Sequence, residues 1–239
     1  MPIRSAGAKT RFAKEVKTRT YAKIAIARQH RKRHLKQHAS STSSDIMAAL
    51  SFPRRLEGKR VALFIDYQFE DLEVTYPMLR LQEEGCEVVV VGAHPAGQKY
   101  TGKFGYPVKS HVCIEDFSSM DVDGLVLPGG FAPDYMRRNK PMLEAITTSI
   151  ELGKPCAAIC HGPWMFCSAR FPNGAPVCTE RSCTSFVAIK DDLINAGATW
   201  VDAPVVVDGP LITARTPADL IPFMHALIEA LIQSPARAQ

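Results

Sequence analysis

The chain has 239 residues, of which 46% are hydrophobic and 22% charged, a balance suited to a globular core and not to a disordered or fibrous chain. Its net charge of +5 is unevenly spread: residues 1–46 hold 12 Lys or Arg and two acids, leaving 17 bases and 22 acids for the rest. No apolar run approaches the roughly 18 residues that span a bilayer, and Ile24-Ala25-Ile26-Ala27 is too short for a secretory signal core.

Residues 1–46 read as a basic leader, 47–58 as a linker and 59–235 as one α/β domain. Three readings of the leader stay open: an organellar transit peptide, a segment that touches nucleic acid or an import receptor, or an extension ahead of Met47. The expected location is therefore the cytoplasm, or the mitochondrion or another organelle if the leader is a presequence. Seven cysteines without regular spacing argue against a disulfide framework and for a reducing compartment. Cys156, Cys160, Cys178 and Cys183 lack the spacing of a zinc site, and neither metal nor cofactor is expected.

From Arg60 onward, strand and helix patterns alternate. Arg60–Asp66 is a continuous apolar run, as in a strand buried on both faces. Leu72–Glu84 carries a helical apolar face that Gly85 ends. Glu87–Val91 reads as a strand, Lys103–Val112 as extended, and Gly124–Leu127 as a core strand. Pro141–Leu152 is a predicted helix, followed by the strand Cys156–Ile159. A helix is expected over Ser185–Ala196, strands at Thr199–Val201, Val205–Val207 and Leu211–Ala214, and a last helix over Pro217–Gln233. The alternation predicts a doubly wound, mostly parallel sheet with helices on both faces. Sites in such sheets lie at the carboxyl ends of the strands.

Cys160 sits at one of those ends. Ala158-Ile159-Cys160-His161-Gly162 is a cysteine version of the strand–nucleophile–helix elbow, whose usual form is Gly-x-Ser-x-Gly. The tight turn demands small residues two positions either side of the nucleophile, and the following helix favours thiolate over thiol. The plainer alternative is a buried structural cysteine. Two further segments follow strands: Asp66–Asp71, with Glu70, and Pro128–Asp134, with Gly129-Gly130. A Gly-Gly turn can free amides for an oxyanion, or simply make the turn. Glu70 alone reads most plainly as an acid at a helix N-terminus.

Taken together, Phe69-Glu70-Asp71-Leu72-Glu73, Leu127-Pro128-Gly129-Gly130, Ala158–Pro163 and Ile189–Gly197 closely resemble the PfpI family, across about Lys59 to Leu231. That resemblance implies a flavodoxin-like fold of the class I glutamine-amidotransferase-like superfamily and a cofactor-free cysteine hydrolase, either an intracellular peptidase or a deglycase. It implies Cys160 as nucleophile and Glu70 as the carboxyl that hydrogen-bonds the sulfur. It gives His161 as general base, with the Gly130 and His161 amides as the oxyanion hole. A histidine next in sequence to the nucleophile is not expected to turn its ring onto that side chain. The resemblance also implies a homo-oligomer in which Asp134 acts across a subunit interface. Substrates would be small peptides or adducts of α-oxoaldehydes. The alternative is a stress-responsive redox sensor or chaperone whose Cys160 is oxidised without turnover. The cysteine-rich segment Phe171–Cys183 departs from the family pattern, and is expected near the mouth of the site.

Overall fold

Residues 54–234 are described by the structure, a computed structural model. The leader and most of the linker read from the sequence lie outside the described residues. The packed chain already includes Leu56, which is fully buried and whose amide donates to Glu84 O at 2.9 Å.

Strand β1 (Arg60–Ile65) is the expected apolar run, buried from Val61 onward. Helix α1 (Asp71–Glu83) starts where the Glu70 carboxylate accepts from the Leu72 and Glu73 amides, two donors that no helical turn can satisfy. It stops before Gly85, whose φ of 84° suits glycine. Strand β2 (Glu87–Gly92) follows. The stretch from Lys103, expected to be extended, instead enters a hairpin of β3 (Lys99–Thr101) and β4 (Pro107–Lys109). Its turn is held from α1: the Asp71 carboxylate accepts from the Phe104 and Tyr106 amides, each at 2.9 Å. Strand β5 (Val112–Cys113) ends this half.

The second half runs through β6 (Gly124–Leu127), a short α2 (Ala132–Met136) and α3 (Lys140–Glu151), which the Asn139 side chain caps. Strand β7 (Cys156–Ile159) and α4 (Trp164–Ser168) bracket the cysteine. After β8 (Ser182–Cys183), the helix expected over Ser185–Ala196 shrinks to α5 (Lys190–Asn195), preceded by a 3-10 turn at Val187–Ile189. The reason is local: Phe186 is extended, and its amide is taken by the Cys160 carbonyl at 2.9 Å. Strands β9 (Thr199–Trp200), β10 (Val205–Asp208) and β11 (Leu211–Ala214) precede α6 (Leu220–Gln233).

The main sheet has the order β10-β11-β7-β6-β1-β2-β5. All its neighbours pair in parallel except β10 with β11. The β1–α1–β2 and β6–α3–β7 connections travel in opposite directions along the sheet. Right-handed crossovers therefore place α1 and α3 on opposite faces. Helix α6 packs with α1, and α3 packs on β6 and β7. Phe64, Leu63, Ile65, Leu125 and Leu127 are fully buried between the layers, each worth about 1.5–3 kcal/mol of transfer free energy. The direction of travel reverses between β1 and β6, so a cleft opens beyond the carboxyl ends of those strands.

Candidate active site

Cys160 follows the last residue of β7 and has φ 62°, a left-handed conformation that costs a non-glycine residue about 1–3 kcal/mol. The surroundings enforce it. The Cys160 amide donates to Ala214 O at 3.0 Å, and its carbonyl accepts from Phe186. Ala158 is fully buried, and a side chain at Gly162 would run into the Leu127 carbonyl. Cys160 itself is 8% exposed and opens on a cavity of about 520 Å³. It is not sealed in hydrocarbon.

The carboxyl group at the sulfur is Glu73, which corrects the expectation for Glu70. Glu73 is fully buried, takes the Gly129 amide on Oε2 at 2.7 Å, and lies beside Cys160 close enough for each to shift the other's titration, while its Oε1 takes no hydrogen bond from a described residue. Burial pushes Glu73 up to about 8, helped by the charge of Glu70, against the pull of the Gly129 amide. At neutral pH this carboxyl therefore keeps its proton. Glu70 also lines the cavity, but its Oε2 is committed to Leu72 N at 2.8 Å and Glu73 N at 3.1 Å. That helix-capping role is the plainer reading the sequence allowed. Glu73 was missed although it stands three residues further on. The signal was there: an acid at the third helical position, on the side of the turn that a capping residue leaves facing the sheet.

His161 departs from expectation in the other direction. Its Nδ1 lies 3.3 Å from Cys160 Sγ. The left-handed turn at Cys160 makes this contact between sequence neighbours available. The ring is fixed by near-parallel stacking on Phe186, with centroids 5.0 Å apart, and by a tilted contact with Trp164. Burial pushes the imidazole below its ordinary value, and the Lys103 charge adds to this, so His161 is neutral at pH 7. A neutral ring nitrogen beside a thiol can accept its proton.

Burial pushes the Cys160 thiol up, as does the Glu73 charge when present, while the His161 and Gly130 amides hydrogen-bond the sulfur and pull the other way. Both amides expected at an oxyanion thus converge on Sγ. Gly130 has φ 73°, and an added Cβ would lie 2.5 Å from Gln68 O and Glu70 N. Gly129 is crowded too: its Cβ would lie 2.7 Å from His161 N. The Gly-Gly pair is needed for close approach as well as for the turn. Asp134 stands on α2 at the cavity rim, its Oδ2 3.0 Å from Arg138 Nη2. No hydrogen bond joins Asp134 to His161 within the described residues.

The far wall of the cavity is Phe186, Ala188 and Ile189, with Thr216 and Pro217. The segment Phe171–Cys183, expected at the mouth, contributes nothing to the lining, and its Val177, Cys178 and Cys183 are fully buried in the core. Among the described residues, no group of three or more His, Cys, Asp or Glu side chains is arranged to hold a metal ion. No described helix is long and apolar enough to cross a membrane.

Comparison with known proteins identifies the family. A family model described as the DJ-1/PfpI family matches residues 59–230. The chain is 41% identical over 164 residues to a protein named deglycase PfpI from Pyrococcus furiosus, covering 69% of this chain and 94% of that one. It is 39% identical over 173 residues to one named "Putative cysteine protease YraA" from Bacillus subtilis, covering 72% and 98%. Among solved structures, it superposes with a TM-score of 0.69 and 37% identity on an Anabaena variabilis protein that combines DJ-1/ThiJ/PfpI-like and ferritin-like domains, covering 76% of this chain and 50% of that one. By sequence and by fold, this chain belongs to the DJ-1/PfpI family.

Proposed function

We propose that the chain is a cofactor-free cysteine hydrolase of the deglycase type, acting on small adducts of α-oxoaldehydes with thiols or amines. The observation that carries this is the 3.3 Å separation of Cys160 Sγ and His161 Nδ1 at a sulfur that faces a cavity of small-molecule size. His161, neutral at pH 7, takes the thiol proton. The thiolate adds to the electrophilic carbon of the adduct. Charge developing on the attached oxygen meets the amides of Gly130 and His161, and Glu73 gives and later regains a proton. The net reaction is adduct plus water to free thiol or amine plus a 2-hydroxy acid. One carbon is oxidised and its neighbour reduced, so no outside electron carrier is required. Peptide hydrolysis would use the same sulfur and amides, and the names of the relatives support either substrate.

The test compares wild type with Cys160→Ser on methylglyoxal, a freshly glycated cysteine or lysine peptide, and a fluorogenic peptide. Turnover of the glycated peptide that depends on Cys160 supports the deglycase. Turnover of the fluorogenic peptide alone reassigns the enzyme as a peptidase. A second reading draws on the neutral Glu73: a carboxylic acid at the sulfur can also hydrogen-bond an oxidised Cys160, as a redox sensor requires. No turnover of any substrate, with peroxide oxidation confined to Cys160, selects that reading. We also propose that Asp134 serves the His161 of a neighbouring copy in a homo-oligomer. If so, mixing Asp134→Ala with Cys160→Ser protein restores part of the activity that each lacks alone. No recovery in the mixture would mean that Asp134 does not act across an interface.

A further inference from the structure

Once Glu73 is recognised as the partner of Cys160, Glu70 is left over, and its surroundings are unusual. The residue is 3% exposed, lines the cavity beside the nucleophile, and has one oxygen pinned by two α1 amides. Its other oxygen, Oε1, takes no hydrogen bond from a described residue. The nearest cation is Lys103 Nζ at 3.8 Å, too far for one. Lys103 also lines the cavity, and its position is built rather than incidental. Its amide donates to Phe69 O at 2.9 Å, and the turn that carries it is clamped by the Asp71 carboxylate. Its ammonium lies over the exposed Phe104 ring, 4.8 Å from the centroid, and its side chain remains 43% exposed, so the ammonium can move. The cavity thus presents a fixed anion and an adjustable cation, held apart, opposite an apolar wall of Phe186, Ala188 and Ile189. The other ion pair at the rim, Asp134–Arg138, differs: both side chains are exposed and their 3.0 Å contact is already closed.

We propose that the Glu70–Lys103 pair is a recognition site for a zwitterionic amino-acid head group, whose ammonium enters against Glu70 Oε1 and whose carboxylate meets Lys103. The inference rests on the deglycase reading and narrows it: the preferred substrate is an adduct carried on the side chain of a free amino acid, such as the hemithioacetal of free cysteine. A head group with both charges completes two contacts that the protein leaves open, whereas one charge alone leaves its opposite uncompensated in a partly buried site.

Binding and turnover are tested separately. S-methylcysteine carries the head group but no reactive carbon. Its protection of Cys160 against iodoacetamide, followed by mass spectrometry of the Cys160 peptide, reports binding alone. It is expected to protect, while N-acetyl-S-methylcysteine and S-methylcysteamine, which each lack one charge, protect at least about ten-fold less well, the scale of one charge-assisted contact. Glu70→Gln keeps an oxygen that can cap α1 but removes the charge. It should abolish the discrimination against the N-acetyl form, and Lys103→Met that against the cysteamine form, with melting temperatures verifying that both variants fold. Equal protection by all three compounds, or none by S-methylcysteine, overturns the inference. In turnover, the methylglyoxal hemithioacetal of cysteine should exceed those of N-acetylcysteine and cysteamine in kcat/KM. Protection without turnover of any adduct overturns the deglycase reading and leaves the head-group site standing. Turnover of all three adducts at one rate does the reverse.

Discussion

Replacing Glu73 by Gln should make the protein more stable at neutral pH while disabling the site. Burial raises the carboxyl from its ordinary 4.5 to about 8. The folded state therefore holds a proton that the unfolded chain has already released anywhere between those values. The sign follows: stability is greatest below pH 4.5, falls as pH rises, and stops falling near pH 8, where the folded carboxyl also ionises. Each pH unit in that window costs about 1.4 kcal/mol, so the cost at pH 7 is about 3 kcal/mol and near pH 8 about 5 kcal/mol, as orders of magnitude. Glutamine keeps an oxygen for the Gly129 amide and has no proton to lose. Urea unfolding of wild type and Glu73→Gln, both in a Cys160→Ser background, measures the difference at pH 5, 6, 7 and 8. The gap should widen steadily in favour of the glutamine variant. Two curves that stay parallel with pH would mean that Glu73 ionises normally, and the account of the sulfur's neighbours would be wrong.

Three further outcomes follow from the same geometry. Gly130→Ala places a Cβ 2.5 Å from backbone atoms at φ 73°, so the amide must shift; kcat should fall about 10²–10³-fold, as for loss of one oxyanion donor, with a lower melting temperature. His161→Ala removes the group positioned to take the thiol proton, and Cys160 alkylation near neutral pH should slow about 10²-fold by peptide mass spectrometry; an unchanged rate would assign the proton elsewhere. The Lys103 charge helps hold His161 below its ordinary value, so Lys103→Met should move the imidazole titration, followed by NMR, to higher pH.

The strands were legible because a parallel sheet covered on both faces needs uninterrupted apolar runs, and Arg60–Ile65, Glu87–Gly92 and Cys156–Ile159 supply them. Cys160 was legible for a related reason: the elbow forbids bulk at Ala158 and Gly162, and this leaves a pattern in the sequence. The carboxyl was not. Glu70 and Glu73 occupy the same short acidic run, and which one faces the sulfur depends on where α1 begins. Glu70 caps the helix, and Glu73, one turn in, is carried under the Gly129 amide. The His161 contact was illegible because it exists only at a left-handed Cys160, a conformation that Ala214 and Phe186, both distant in sequence, help to fix. The shortened α5 has the same origin, since Phe186 gives its amide to Cys160 and leaves the helix to start later.

Where the proton of Cys160 can go then decides how such a buried sulfur can react at all. Burial disfavours its thiolate, and an ionised Glu73 would disfavour it further. Below about pH 8, however, Glu73 is already protonated, which removes that repulsion and turns the carboxyl into a donor toward the sulfur. It cannot also be the acceptor of the thiol proton. Within the described residues, His161 is the group left in reach, and its neutrality at pH 7, secured by burial and by Lys103, fits it to accept. The burial that makes the thiol reluctant also keeps one neighbour protonated and the other not, and that division of roles makes chemistry at Cys160 possible.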